Sequence, residues 1–199
     1  MDWQPAPIEG LFTAEGFAFS GGRRMDVRLA YRTLGTLAPD CGNAVLLLHG
    51  TTGSGRQFLQ PAFAGAMFGP GDPLDARSHL IVLPDAIGHG GSSKPSDGLG
   101  QSFPCYGYAD MVAVQHRLVT EGLGLRRLRL VMGTSMGGMQ TWMWGGRHPD
   151  MMDALMPVAS LPERVTGRNL LWRRLLLQVA CLDEPGRHGA KADAIHDAR

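Results

Sequence analysis

Cysteine is scarce: Cys41, Cys105 and Cys181 are the only three in 199 residues. They are odd in number, widely spaced and form no Cys-x-x-Cys pair. This argues against a disulfide scaffold and predicts free thiols in a reducing compartment. An excess of one charge is missing too. Nineteen Lys and Arg stand against eighteen Asp and Glu, a formal charge of +1. Such balance offers no basic footprint for nucleic acid and no field to gather an acidic substrate. Long apolar runs are also absent. Runs such as residues 44–48 and 80–83 reach only five and four residues, far short of the roughly 20 a membrane helix needs, so no membrane attachment is expected. Residues 1–10 are polar and proline-bearing, with no basic segment leading into an apolar one. No signal peptide is expected there, and the predicted location is cytoplasmic. The seven histidines are scattered, without a His-Glu-x-x-His or Cys/His cluster, so no metal is expected.

The chain is rich in glycine, with 28 residues, many of them just after short apolar runs, where chain reversals belong. At roughly 150 residues per domain the length favours one domain, large enough to bury a core. Residues 27–34 alternate, with Val27, Leu29, Tyr31 and Thr33 on one side and Arg28, Ala30, Arg32 and Leu34 on the other. This predicts an early strand with one wetter face. Residues 44–48, 80–83 and 128–132 are apolar almost throughout, as strands buried on both faces are. Residues 154–159 are a fourth candidate, interrupted by Pro157. Helical spacing is found over 109–121, 137–147 and 169–179. Strands alternating with helices imply right-handed crossovers and a mostly parallel sheet with helices on both faces. Ligands in such sheets bind beyond the carboxyl ends of the strands. Function is therefore sought in the loops after Leu48, Leu83 and Met132.

The loop after Met132 reads Gly133-Thr134-Ser135-Met136-Gly137-Gly138. It fits Gly-x-Ser-x-Gly between a predicted strand and a predicted helix, the context that motif needs. A strand that turns into a helix within a few residues must hold its central residue in a strained conformation. The positions two away must be small, which Gly133 and Gly137 satisfy. Ser135 then stands over a helix N-terminus whose free N–H groups favour developing negative charge.

The loop after Leu48 reads His49-Gly50-Thr51-Thr52-Gly53. A site built on such a serine takes one oxyanion donor from the N–H of the residue after the nucleophile, here Met136. It takes the other from the loop after an early central strand. Thr51 matches that second position, with Thr52 as the alternative. His49 reads as a residue that orients the loop, because the histidine of such a site follows the serine in the chain. The loop after Leu83 runs from Pro84 and Asp85 through His89 to Ser93 and Lys94. It is not a phosphate loop, because Ser93 precedes Lys94. Asp85 and His89 read as turn residues that satisfy backbone groups. Trp142 and Trp144 read as packing residues, and Met132, Met136, Met139 and Met143 as core or pocket lining.

With these loops placed, the sequence resembles the α/β-hydrolase superfamily and, more closely, the homoserine O-acetyltransferase branch with the hydrolases grouped with it. The matching stretches are residues 68–76 (Phe-Gly-Pro-Gly-Asp-Pro-Leu-Asp-Ala), Phe103-Pro104, residues 110–115, residues 133–139 and His148-Pro149-Asp150. They recur in the family's order, over roughly residues 27–177. The resemblance implies a serine nucleophile, with an aspartate and a histidine from the C-terminal third. In the acetyltransferases it implies transfer of acetyl from acetyl-coenzyme A to a hydroxyl. Ser135 then matches the nucleophile, and Met136 and Thr51 match the backbone oxyanion positions. No resident cofactor is implied, acetyl-coenzyme A or another acyl donor being a substrate. The expected partner is a small ester, thioester or acyl acceptor. Two details depart from the acetyltransferases. They usually carry alanine and leucine where Gly50 and Thr51 follow His49, and Gly-Gly-Ser-Met where this chain has Gly-Thr-Ser-Met. Both point to a sister branch of hydrolases.

The family continues with a lid, two further strands and the remaining catalytic pair. Residues 181–199 show no strand pattern and no likeness to that continuation. The expectation is a partial α/β-hydrolase domain over 1–180, lacking the C-terminal strands and lid, and an irregular polar tail over 181–199, the product of truncation or a frame shift. His188 or His196 with Asp183, Asp193 or Asp197 would make only a makeshift triad, since such a tail does not hold a base against Ser135. A catalytically dead fragment is the alternative expectation. A nucleotide-binding α/β domain is a weaker one, because the glycines at 50, 53 and 55 do not match Gly-x-Gly-x-x-Gly and Asp85 stands too far beyond them.

Overall fold

The computed structural model describes residues 6–182. In chain order its elements are β1 (Ile8–Ala18), β2 (Arg24–Leu34), β3 (Ala44–Leu48), α1 (Pro61–Met67), β4 (Leu80–Pro84), α2 (Tyr108–Arg117), β5 (Leu130–Thr134), α3 (Met136–Arg147), β6 (Leu155–Val158) and α4 (Gly167–Leu182). One six-stranded sheet has the order β1-β2-β4-β3-β5-β6. Strands β4, β3, β5 and β6 run parallel, while β2 joins β4 and β1 joins β2 antiparallel. This is the α/β-hydrolase architecture.

The central strands are apolar at nearly every position because both faces are covered. Alternate residues of β3 point to opposite faces. Val45 and Leu47 pack with Phe58, Ala64 and Phe68 around α1. Ala44, Leu46 and Leu48 pack with Val112 of α2 and Trp144 of α3. Trp144 is fully buried, and its indole N–H donates to Gln115 Oε1 at 3.0 Å. Gln115 in turn donates to Gln140 Oε1 at 2.7 Å, which joins α2 to α3.

This sheet order fixes the site. Neighbouring strands β3 and β5 send their following helices, α1 and α3, to opposite faces. A crevice opens outside the carboxyl ends of two such strands, where α/β sheets bind ligands. The loops that border it begin at His49 and Ser135.

The structure differs from the sequence reading in several places. The first strand, β1, follows no clean alternation because a bulge between Ala14 and Phe17 shifts its register. Gly16 N donates to Asp26 Oδ1 at 2.7 Å there. The wetter face predicted for β2 holds only at its start. Arg28 is exposed, whereas Arg32 and Leu34 are buried, the first by an ion pair with Asp85 and the second by the α1-side core. The short helix α1 escapes a 3.6-residue pattern altogether.

Helix α4 runs to Leu182, so the boundary drawn at 181 falls in its last turn. The candidates Asp183, His188, Asp193, His196 and Asp197 lie outside the described residues. Among the described residues the sheet ends at β6, with Met156 half exposed, and α4 presents Leu171, Trp172, Leu175 and Leu176 to solvent. No helix among these residues is long and apolar enough to cross a membrane.

Candidate active site

Ser135 sits between β5 and α3 with φ 54° and ψ −111°, a conformation that side-chain-bearing residues rarely adopt. Its side chain is exposed. The turn is held on both sides: Ser135 N donates to Val158 O at 2.9 Å, and Ser135 O accepts from Met139 N at 3.0 Å. The small neighbours are required by close approach. A Cβ on Gly133 would press on the Gly137 carbonyl and stand 2.7 Å from Thr141 Oγ1. One on Gly137 would strike the Leu48 carbonyl and come within 2.8 Å of His49 O. Helix α3 therefore begins in backbone contact with the end of β3.

Met136 is the first residue of α3. Its N–H has no intrahelical acceptor, as at any helix start, and its side chain packs among Ala86, Ile87, Phe103 and Met111. Thr51 is exposed at the tip of the loop after β3. Gly50, just before it, lies beside Thr134, just before Ser135: a Cβ there would stand 3.7 Å from Thr134 O. Among the described residues, the N–H groups of Thr51, Thr52 and Met136 donate to no protein acceptor. The loop that carries Thr51 thus meets the turn that carries Ser135 and Met136 at Gly50 and Thr134.

The flanking polar residues brace these loops. His49 is 2% exposed. Its Nδ1 meets Gly50 O at 2.8 Å and its Nε2 accepts from Ala86 N at 2.9 Å. That pairing selects the neutral imidazole with its proton on Nδ1. Burial pushes the His49 pKa down, against the Gly50 bond, which raises it. Both ring nitrogens are therefore committed, which fits a loop-orienting residue and not a base.

Asp85 is fully buried. Oδ1 accepts from Arg32 Nη1 at 2.7 Å and from Gly55 N at 2.7 Å, and Oδ2 accepts from Gly91 N at 2.8 Å. Burial pushes its pKa up, but Arg32 and the two backbone donors outweigh that and hold the carboxyl below its usual range. Asp85 so ties the loops after β3 and β4 together.

Two residues that the sequence did not single out belong here. Arg32 also meets Glu9 at 3.0 Å. Gln57 accepts from Gly50 N at 3.0 Å and donates to Thr134 Oγ1 at 2.8 Å, bridging the early loop to the serine turn. Neither carries a motif, because each acts through partners scattered along the chain, Arg32 through Glu9 and Asp85 and Gln57 through Gly50 and Thr134.

A cavity of about 380 Å³ lies along the outer face of α3, lined by Met139, Trp142, Met143, Arg147, Leu161 and Arg164 among others. Met139 stands one helical turn from Ser135. Trp142 is 40% exposed and lines this cavity, whereas a packing role was expected of it. Among the described residues, no group of three His, Cys, Asp or Glu is placed to hold a metal ion.

Comparison with known proteins finds the same fold elsewhere. The family described as alpha/beta hydrolase fold matches residues 43–181. A homoserine O-acetyltransferase of Chlorobaculum tepidum is 38% identical over 160 residues, covering 76% of this chain and 42% of that protein. A homoserine O-acetyltransferase of Caulobacter vibrioides is 35% identical over 188 residues, covering 87% and 49%. Among solved structures, the acetyl esterase MekB superposes with a TM-score of 0.80 at 29% identity, covering 88% of this chain and 51% of that one. An acetylester hydrolase from Corynebacterium glutamicum gives a TM-score of 0.80 at 26% identity, covering 96% and 55%. The chain spans about half the length of the proteins it matches.

Proposed function

This chain belongs to the α/β-hydrolase fold family, and from that membership we propose that Ser135 is the nucleophile of an acyl-transfer site acting on small acetyl esters or thioesters. The observation that carries the reading is the exposed serine at φ 54°, ψ −111° between a parallel strand and a helix N-terminus. Ser135 Oγ attacks the substrate carbonyl carbon while its proton passes to a general base. The N–H groups of Met136 and Thr51 receive the oxyanion; one such donor is worth about 2.7–4 kcal/mol in related sites. The tetrahedral intermediate then collapses to an acetyl-serine as the alcohol or thiol leaves with a proton. Water or an acceptor hydroxyl attacks that ester, releasing acetate or a new acetyl ester and restoring Ser135. Acetyl is the acyl group supported by the names of the relatives, the two acetyltransferases and the two acetyl ester hydrolases. Acetyl-coenzyme A would enter as substrate, with no resident cofactor.

A second reading, a catalytically dead site, is favoured by one observation. Among the described residues no histidine hydrogen-bonds Ser135, and His49 has both ring nitrogens engaged. A fluorophosphonate probe separates the two. A live site is labelled at Ser135, and Ser135→Ala abolishes the label. Folded protein that takes no label favours the dead site. If labelling occurs, p-nitrophenyl acetate turnover with and without an added hydroxyl acceptor distinguishes hydrolysis from transfer.

A further inference from the structure

His89 lies in the loop after β4, half buried, and reaches across to the loop after β3. Its Nε2 meets Thr51 O at 2.5 Å and its Nδ1 meets Ile87 O at 3.1 Å. Its ring packs edge-on against His49, with centroids 5.2 Å apart. A peptide unit is planar and trans, so its C=O and the following N–H point in opposite directions. His49 pins Gly50 O and thereby sets the direction of Thr51 N–H. His89 pins Thr51 O and sets the direction of Thr52 N–H. Thr51 is thus gripped between two fixed peptide planes, by two imidazoles in contact with each other.

We propose that His89 is a positioning residue for the oxyanion site: its imidazole, donating to the Thr51 carbonyl, fixes the Thr51–Thr52 peptide plane, so that the exposed loop tip does not drag the adjoining plane, which His49 sets and which carries the Thr51 amide, out of place. The inference rests on the assignment of Ser135 as nucleophile and of Thr51 as an oxyanion donor. It extends that assignment by naming what keeps the donor in place. The loop is otherwise tethered through Gln57 at Gly50 and through Asp85 at Gly55. The Thr51 carbonyl has His89 as its partner. Loosening that bond frees the one exposed stretch whose amides must not wander.

Two isosteric substitutions separate this role from a structural one. Glutamine places a donor where imidazole Nε2 stands, and asparagine places one where Nδ1 stands. His89→Gln therefore keeps a donor to Thr51 O, and His89→Asn turns its donor toward Ile87 O instead. The full chain and the three variants His89→Ala, His89→Asn and His89→Gln are compared by the rate of fluorophosphonate labelling at Ser135, each first checked for a cooperative melt. Labelling slows roughly tenfold in the Ala and Asn variants and returns to within about threefold of the parent in the Gln variant. Rescue by asparagine but not glutamine, or equal rates in all four proteins, overturns the proposal. If the parent itself takes no label, the nucleophile assignment fails instead. The amide ¹H–¹⁵N signals of Thr51 and Thr52 then decide the role of His89. They shift in the Ala and Asn variants and keep the parent positions in the Gln variant, and the opposite pattern refutes it.

Discussion

The strain at Ser135 yields a prediction that opposes the usual effect of inserting glycine. A residue with a Cβ pays about 1–3 kcal/mol to sit in so sparsely populated a conformation. Ser135→Gly removes that cost, since glycine adopts positive φ freely. The gain is reduced by the extra freedom of the unfolded chain, about 0.4–1 kcal/mol. The net expectation is a stabilisation of about 0.5–2 kcal/mol. At about 2–4 °C per kcal/mol for a chain of this size, the melting temperature rises by about 1–8 °C. Ser135→Ala keeps the Cβ and removes a hydroxyl that makes no hydrogen bond among the described residues, so its stability stays within about 0.5 kcal/mol of the parent. Urea unfolding of the three proteins, followed by far-UV circular dichroism, provides the comparison. A Ser135→Gly protein no more stable than Ser135→Ala refutes the claim that the turn is strained.

Gly137→Ala forces a methyl group against the Leu48 and His49 carbonyls; it lowers stability by about 1–3 kcal/mol and slows labelling of Ser135, both read on one purified variant. Asp85→Ala leaves the buried Arg32 with only the half-exposed Glu9 as partner and two backbone N–H groups without their acceptor. It costs about 3–5 kcal/mol in urea unfolding, and a loss under about 1 kcal/mol shows that the pair is not a keystone between the loops. His49, His116 and His148 all titrate below the usual histidine value, each through burial first, with His116 and His148 stacked 4.0 Å apart. Their unfolded forms take up protons before the folded ones, so stability is full above about pH 6.5 and falls as the pH drops below it. The urea midpoint measured between pH 7.5 and 5 shows this, and His116→Gln with His148→Gln flattens the slope.

The centre of the fold was legible because burial on both faces leaves no choice of residue: β3 was read at its observed limits, Ala44–Leu48. The serine turn was legible because backbone contact admits only glycine at 133 and 137. Strand β1 was not, because its bulge breaks the two-residue alternation. Helix α1, at seven residues, is too short to show a period. Arg32 and Gln57 were hidden for a different reason. Their roles lie in whom they touch across the sheet, and a linear pattern carries no trace of that. Trp142 was misjudged because helical spacing cannot distinguish a face covered by protein from one that lines a cavity.

The central claim is that the crevice captures an oxyanion at Ser135. A crystal structure of the phosphonylated protein measures this directly. The account predicts phosphorus bonded to Ser135 Oγ, with the phosphonyl oxygen about 2.7–3.1 Å from the N–H groups of both Met136 and Thr51. An adduct on another residue, or an oxygen turned away from those two amides, contradicts it.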